Sequence, residues 1–382
     1  MGDPDIGVAH FVCRLALRSV DGLSRAAFPR EPNTMADTDL ILVTGASGFV
    51  GKWCVIKLLE QGYRVRGTVR SDAKAALVRK TVTAMVGAEA AARLDLVKAD
   101  ILADAGWPEA MAGVSAVMHV ATQIRGDEPK DASVVIRPAV EGTERVLRMA
   151  HQAGIKRVIL TSSIATVGYG HGHTKGRRVY DETYFTNLDN MRWTWAYCVG
   201  KTKAERAAWD YAKANGMELT TIHPGAIIGP ALDEDASISV GMVSGLLDNS
   251  TPALPSNGFS IIDVRDVADM HIAALNKPEA IGQRYLATAE YMPFPQVAAI
   301  VQELYPDRKI VNRPVPDWII RLVAMFGGPA RQIINDIGNE KVFDGRKGEA
   351  LIGHPYVGAR QSIKDTAESV LRLGLKFRLA KP

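Results

Sequence analysis

Residues 40–62 read LILVTGASGFVGKWCVIKLLEQG, and their interpretation decides the fold. Leu40 to Thr44 form a short apolar, β-branched run of strand length. From Phe49 the pattern turns helical and ends at Gly62. Between the two lie Gly45, Gly48 and Gly51. The first glycine permits a tight turn, the second lets backbone approach a pyrophosphate, and the third lets the helix pack closely on the strand. The helix N-terminus adds unpaired N–H groups and the positive end of its dipole. A glycine-rich pattern alone is weak evidence, but one framed by a strand and a helix is a dinucleotide fingerprint. Gly45, Ser47, Gly48, Phe49, Val50 and Gly51 are therefore candidate cofactor contacts.

Working outward, further strands are expected at 63–69, 94–100, 116–120, 157–163 and 219–223, separated by helix-forming segments. Such alternation predicts an α/β, doubly wound parallel sheet of Rossmann type, covered by helices on both faces. Beyond His223 proline and glycine punctuate the chain. Residues 39–223 thus read as an NADP-binding domain. Residues 224–382 read as a smaller C-terminal, mainly substrate-binding region, with some segments returning to the sheet.

The end of the second strand selects the cofactor. An NAD site calls for a carboxylate there to bind the ribose 2′-hydroxyl, but RGTVRSDAK places Arg66 and Arg70 near that point and no acid before Asp72. A planar, permanently charged guanidinium suits a 2′-phosphate. NADP(H) is the expected cofactor, with Arg70 as the main contact and Lys74 as a second candidate. Asp100 and Ile101, after the third strand, are placed beside the adenine.

The stretch WAYCVGK (195–201) sets Tyr197 and Lys201 one turn apart on a helix. That spacing recurs at Tyr305 and Lys309, where Pro306 disfavours a helix interior, so context must decide. Upstream, the strand ILTSS ends in Thr161, Ser162 and Ser163, at the carboxyl edge where ligands of α/β sheets bind. A hydroxyl, a phenol and an ammonium converging there suit hydride transfer to a carbonyl, whose developing alkoxide needs a proton and hydrogen bonds. Tyr197 is the expected acid, Lys201 lowers its pKa and holds the ribose, and Ser163 binds the carbonyl oxygen.

The glycine loop, VMHVAT (117–122), TSS (161–163), YCVGKTKAERAAWDYA (197–212) and IDVRDVADMHIAAL (262–275), taken in order, resemble the extended short-chain dehydrogenase/reductase superfamily within the NAD-dependent epimerase/dehydratase family. The nearest branch is that of dihydroflavonol and cinnamoyl-CoA reductases and microbial aldehyde and ketone reductases. The resemblance spans about residues 40–290 and implies catalytic roles for Ser163, Tyr197 and Lys201. It further implies cofactor contacts at Val120, Ala121, Thr122 and Thr161, and along Pro224 to Ile227. Two positions depart from the plant enzymes. Gly168 stands where dihydroflavonol reductases carry a ring-binding asparagine, and Trp195-Ala196 stands where cinnamoyl-CoA reductases carry Asn-Trp. The expected substrate is therefore a small carbonyl compound rather than a flavonoid or monolignol precursor. A nucleotide-sugar epimerase or dehydratase and a 3β-hydroxysteroid dehydrogenase share the scaffold, but the missing acid after the second strand argues against an NAD-retaining epimerase. Intact Tyr197 and Lys201 argue against a non-catalytic dinucleotide sensor.

Composition bounds the rest. The chain has 382 residues, 47% hydrophobic and 23% charged, with a formal net charge of +4 carried by scattered rather than striped basic residues, so no nucleic-acid footprint is expected. Cys13, Cys54 and Cys198 are few and lack metal-ligand spacing, which fits a reducing, cytoplasmic setting without a disulfide framework or metal. No apolar run reaches the roughly 18 residues of a membrane span. A soluble monomer or homodimer is expected. Residues 1–38 read as an N-terminal extension, disordered or upstream of the natural start near Met35, because Asp3, Asp5, Asp21 and Glu31 are atypical of a transit peptide. HGHTKGRR (171–178) reads as a flexible loop, and Cys198 as a packing residue.

Overall fold

The structure, a computed structural model, describes residues 39–123, 128–172, 176–191, 195–251, 253–311, 313–326 and 330–376. The extension expected at 1–38 lies outside them, as does His173.

Seven parallel strands form the main sheet. In chain order they are β1 (Leu40–Thr44), β2 (Arg64–Val69), β3 (Leu94–Lys98), β4 (Ala116–His119), β5 (Arg157–Thr161), β7 (Glu218–Pro224) and β10 (Arg284–Ala287). Across the sheet the order is β3-β2-β1-β4-β5-β7-β10, so the direction of winding reverses between β1 and β4. That reversal opens a crevice at the carboxyl ends of the strands, where α/β sheets bind ligands. β1 shows why the sheet is covered on both faces. Ile41 and Val43 enter one hydrophobic core while Leu40 and Leu42 enter the other, as strand alternation requires. The edge strand β3 is buried at Leu94 only, and its remaining residues are half-buried or exposed.

Residues after His223 do not form a separate layer, since β10 continues the main sheet by pairing with β7 from Arg284↔Thr221 to Ala287↔Pro224. They also build a small sheet of β8 (Ala226–Ile228), β9 (Gly258–Asp263) and β11 (Glu290–Pro293). A third sheet pairs β6 (Gly176–Tyr180) in parallel with β12 (Asn339–Phe343). This last pair corrects the flexible loop expected at 171–178 for its last three residues, 176–178, which form a strand, while residues 173–175 lie outside the described residues. Arg177 pairs with Glu340 at 3.3 Å, and His171 bonds the Val167 carbonyl at 2.7 Å while packing against Tyr180 and Tyr184. The strand is invisible locally because its partner lies more than 150 residues away.

Three helices carry the site. α1 (Phe49–Glu60) follows the glycine loop, α2 (Ser133–Gln152) crosses from β4 to β5, and α3 (Ala196–Asn215) leads into β7. α3 is rich in alanine and lysine, and it stops at Gly216, which adopts φ +61° as a left-handed cap. Its first N–H, at Ala196, is taken by the Glu128 carboxylate at 2.8 Å. Gly200 lets α3 approach α2 closely, since a Cβ there would lie 3.3 Å from Ala139 Cβ.

Candidate active site

The glycine loop is built from backbone that tolerates no side chains at two positions. Gly45 adopts φ +68°, and a Cβ on it would come within 2.9 Å of Ala121 Cα. A Cβ on Gly51 would lie 2.2 Å from the Gly45 carbonyl oxygen, so only glycine allows α1 to start this close to β1. Gly48 is the exposed, extended N-cap of α1 and offers no side-chain cap, leaving the first-turn N–H groups directed at the crevice. Ser47 is half-buried in the loop, and Phe49 and Val50 are buried in the core rather than presented to the crevice.

Two threonines that the motif does not contain fix this loop. Thr68 Oγ1 accepts from Gly45 N at 3.0 Å. Thr44 Oγ1 accepts from Val120 N at 3.1 Å and Ala121 N at 3.0 Å, and it pairs with His119 Nδ1 at 2.8 Å. The loops after β1 and β4 are thereby held side by side, and Thr122 follows half-buried. Burial pushes His119 down to about 3, with Lys201 adding to the effect, so the ring is neutral and its Nδ1 accepts the threonine proton.

Around the end of β2 the arginines differ. Arg66 is committed to Asp95 at 2.7 Å and to the carbonyls of Glu109 and Ala112. Arg70 is exposed, and among the described residues it has no hydrogen-bond or ion-pair partner. Lys74, the second candidate, is held by both carboxylate oxygens of Asp235 at 2.6 Å. Asp100 caps its own turn through Leu102 N at 3.0 Å, and the Ile101 carbonyl takes Arg145 at 2.5 Å, which fixes the chain after β3. Pro224 ends β7, and Ile227 is half-buried in β8.

The structure brings Ser163, Tyr197 and Lys201 together at the carboxyl end of β5. Ser163 is buried, with its Oγ accepting from Ala165 N at 3.1 Å to start a 3₁₀ turn, and its hydroxyl lies near enough to the Tyr197 phenol to act on its pKa. Lys201 is buried and donates to the Thr161 carbonyl at 3.0 Å. One expectation needs correction. Burial raises the Tyr197 phenol above its ordinary value, opposed by the nearby Ser163 hydroxyl, and Lys201 does not lower it in this arrangement. Thr161 meets the site through its backbone alone, because its hydroxyl is bound to His271 Nε2 at 2.7 Å on the far side of the strand. Burial pushes the Lys201 ammonium down to about 8, with Glu205 opposing. Cys198 donates to the Ala165 carbonyl at 3.1 Å, and burial pushes its thiol up to about 12.

Behind the site lies a charged group that the sequence did not flag. Glu205, 1% exposed, accepts from Ser162 Oγ at 2.6 Å, Arg284 Nε at 2.8 Å and Trp209 Nε1 at 3.3 Å, and pairs with His223 Nε2 at 2.9 Å. Burial would raise its carboxyl, but His223, Arg284 and Ser162 together hold it well below the usual carboxylate range. In the sequence Glu205 looks like any solvated helix acid. The one legible signal is its spacing of four residues from Lys201.

A seven-stranded parallel sheet with its winding reversal beside a glycine loop is the Rossmann type of dinucleotide-binding fold. The family model described as NAD dependent epimerase/dehydratase matches residues 41–287, and the chain belongs to that family. It is 35% identical over 337 residues to the cinnamoyl-CoA reductase CAD2 of Medicago truncatula, covering 87% of this chain and 95% of the relative. It is also 35% identical over 279 residues to the dihydroflavonol 4-reductase of Zea mays, covering 72% and 76%. Among solved structures it is similar to the yeast methylglyoxal/isovaleraldehyde reductase Gre2 complexed with NADPH, at a TM-score of 0.71 and 24% identity, over 88% of this chain and 99% of that one. Among the described residues no helix is long and apolar enough to cross a membrane, and no histidine, cysteine or carboxylate cluster has metal-binding geometry.

Proposed function

We propose that this protein is an NADP-dependent oxidoreductase that reduces a small aldehyde or ketone to an alcohol. The observation that carries the reading is the meeting of Ser163, Tyr197 and Lys201 at the carboxyl end of β5, with the Lys201 ammonium fixed on the Thr161 carbonyl at 3.0 Å one helical turn from Tyr197. The reductase names of its relatives support it.

The residues fit the cofactor. The glycine cradle leaves backbone N–H groups for a pyrophosphate, and the unpaired guanidinium of Arg70 suits a 2′-phosphate. Bound NADPH supplies the hydride. Ser163 donates a hydrogen bond to the substrate carbonyl oxygen. Tyr197 gives that oxygen its proton, and its raised pKa keeps the phenol protonated at neutral pH. Lys201 anchors to the Thr161 carbonyl through one N–H and has two more to hold the nicotinamide ribose.

Substrate choice follows from position 168. Gly168 has no side chain to bind ring hydroxyls, and a Cβ there would come 2.5 Å from Phe343 Cζ, so a buried aromatic ring of β12 fills the adjoining space. An apolar wall discriminates weakly among carbonyl compounds, since one methylene changes binding by only ~1–3 kcal/mol. The test is NADPH oxidation with benzaldehyde, phenylglyoxal, ethyl pyruvate and dihydroquercetin. The simple carbonyls are expected to show the higher kcat/KM, and a clear preference for dihydroquercetin would refute the assignment.

A further inference from the structure

Two consecutive residues at the end of β5 are gripped by two residues of α3 four positions apart, Thr161 through its carbonyl by Lys201 and Ser162 through its hydroxyl by Glu205. Ser163 follows them, beside Tyr197 one further turn back along α3. Neighbouring side chains in extended backbone point in opposite directions, so Ser162 faces away from the crevice while Ser163 faces into it. Any displacement of Ser162 therefore moves Ser163 relative to Tyr197.

Glu205 is itself fixed from two further elements. His223 comes from β7 and bonds back to the Tyr285 carbonyl at 3.2 Å. Arg284 comes from β10, and beyond Glu205 it donates to the carbonyls of Glu182 at 2.5 Å and Tyr184 at 2.7 Å, with its guanidinium 3.7 Å over the Phe185 ring. Thr186, in that same segment, donates to the Ala165 carbonyl at 2.8 Å, two residues beyond Ser163. The carboxylate, with Arg284 as its link, thus ties the serine turn, the tyrosine helix and the 182–186 segment into one polar unit whose centre, at Ser162, Glu205, His223 and Arg284, is buried. A buried ionic group is weak evidence for stability in itself, because desolvation offsets the attraction. Its placement directly behind the serine turn points to positioning.

We propose that Glu205 is a positioning residue for carbonyl reduction, acting through Ser162 to hold the Ser163 hydroxyl against Tyr197. The inference rests on the reductase reading above. S162A removes the link and leaves the Glu205–His223–Arg284 group in place, whereas E205Q removes the charge.

The test measures kcat with phenylglyoxal or ethyl pyruvate, whichever the parent reduces faster, together with NADPH Kd and Tm, for S162A, E205Q, their double variant and Y197F. S162A is expected to lower kcat roughly 10- to 100-fold, the scale of a small misplacement, with NADPH Kd and Tm unchanged. The double variant is expected to be no slower than E205Q alone, because both act along one path. If E205Q fails to fold, S162A still decides the matter. S162A turning over like the parent, or losses that multiply in the double variant, would overturn the role of Glu205. A parent inactive on both carbonyls, or an active Y197F, would instead remove the reductase reading itself.

Discussion

Lys201 carries the clearest consequence at the scale of single residues. Its ammonium is buried against a backbone carbonyl, and burial pushes it down to about 8. The charge is therefore present below that pH and lost above it. If the ammonium holds the cofactor ribose, kcat should stay level on the acid side and fall as pH rises through about 8. Tyr197 titrates above its ordinary value and does not cause this limb. Arginine stays protonated throughout, so K201R should lose the alkaline fall whatever its absolute rate, and identical profile shapes would contradict the role. Arg70 makes a separate claim. R70A should weaken NADPH binding about 10- to 100-fold, as expected for a charged hydrogen bond, and leave NADH nearly unchanged. Equal losses for both cofactors, measured by titration, would point to folding instead. The two residues were legible in different ways. Lys201 is marked by its spacing from Tyr197, and Arg70 by its place at the end of a strand. Glu205 showed only its four-residue spacing from Lys201 and Arg284 nothing, because burial by elements far apart in the chain leaves little trace in local sequence.

Among the elements, the pairing of β6 with β12 has the largest effect on the site. Phe343, at the end of β12, stacks on Tyr180 at 5.5 Å between ring centroids and packs in a small cluster with Val167 and Leu286. Gly168 makes room for that ring, so its lack of a side chain serves packing as well as leaving the wall apolar. An asparagine there would displace a buried aromatic. G168N should lower stability by roughly 1–3 kcal/mol, the usual cost of overpacking, and F343A in the same chain should relieve part of the loss. Chemical denaturation of the two variants checks this, and a G168N protein as stable as the parent would show that the ring is free to move. Six of the seven main-sheet strands were legible to within two residues, most of them as apolar runs buried on both faces, whereas β10, at the far edge and reached only after the small sheet, was not. β6 and β12 carry arginines, lysine and glutamate on half-exposed surfaces, and what makes them strands is each other.

At the scale of the molecule, the reversal of winding between β1 and β4 and the helix that follows β5 bring two separately encoded features to one edge. In the proposed function the glycine loop serves as the phosphate cradle, and Ser163, Tyr197 and Lys201 serve as the proton-donating group beside it. The order of these segments in the sequence predicted the parallel sheet. The loops tied down by Thr44 and Thr68, and the cap that Glu128 places on α3, depend on contacts across the crevice that only the folded chain creates. The account stands on Tyr197 as the proton donor of the assembled site. Y197F, which keeps the ring and removes only the hydroxyl, tests this most directly when kcat for carbonyl reduction and Kd for NADPH are measured on the same preparation. The account predicts a fall in kcat of ~10² to 10⁴-fold with NADPH affinity unchanged. A Y197F protein that keeps more than about half of its turnover would contradict it, given that expected magnitude.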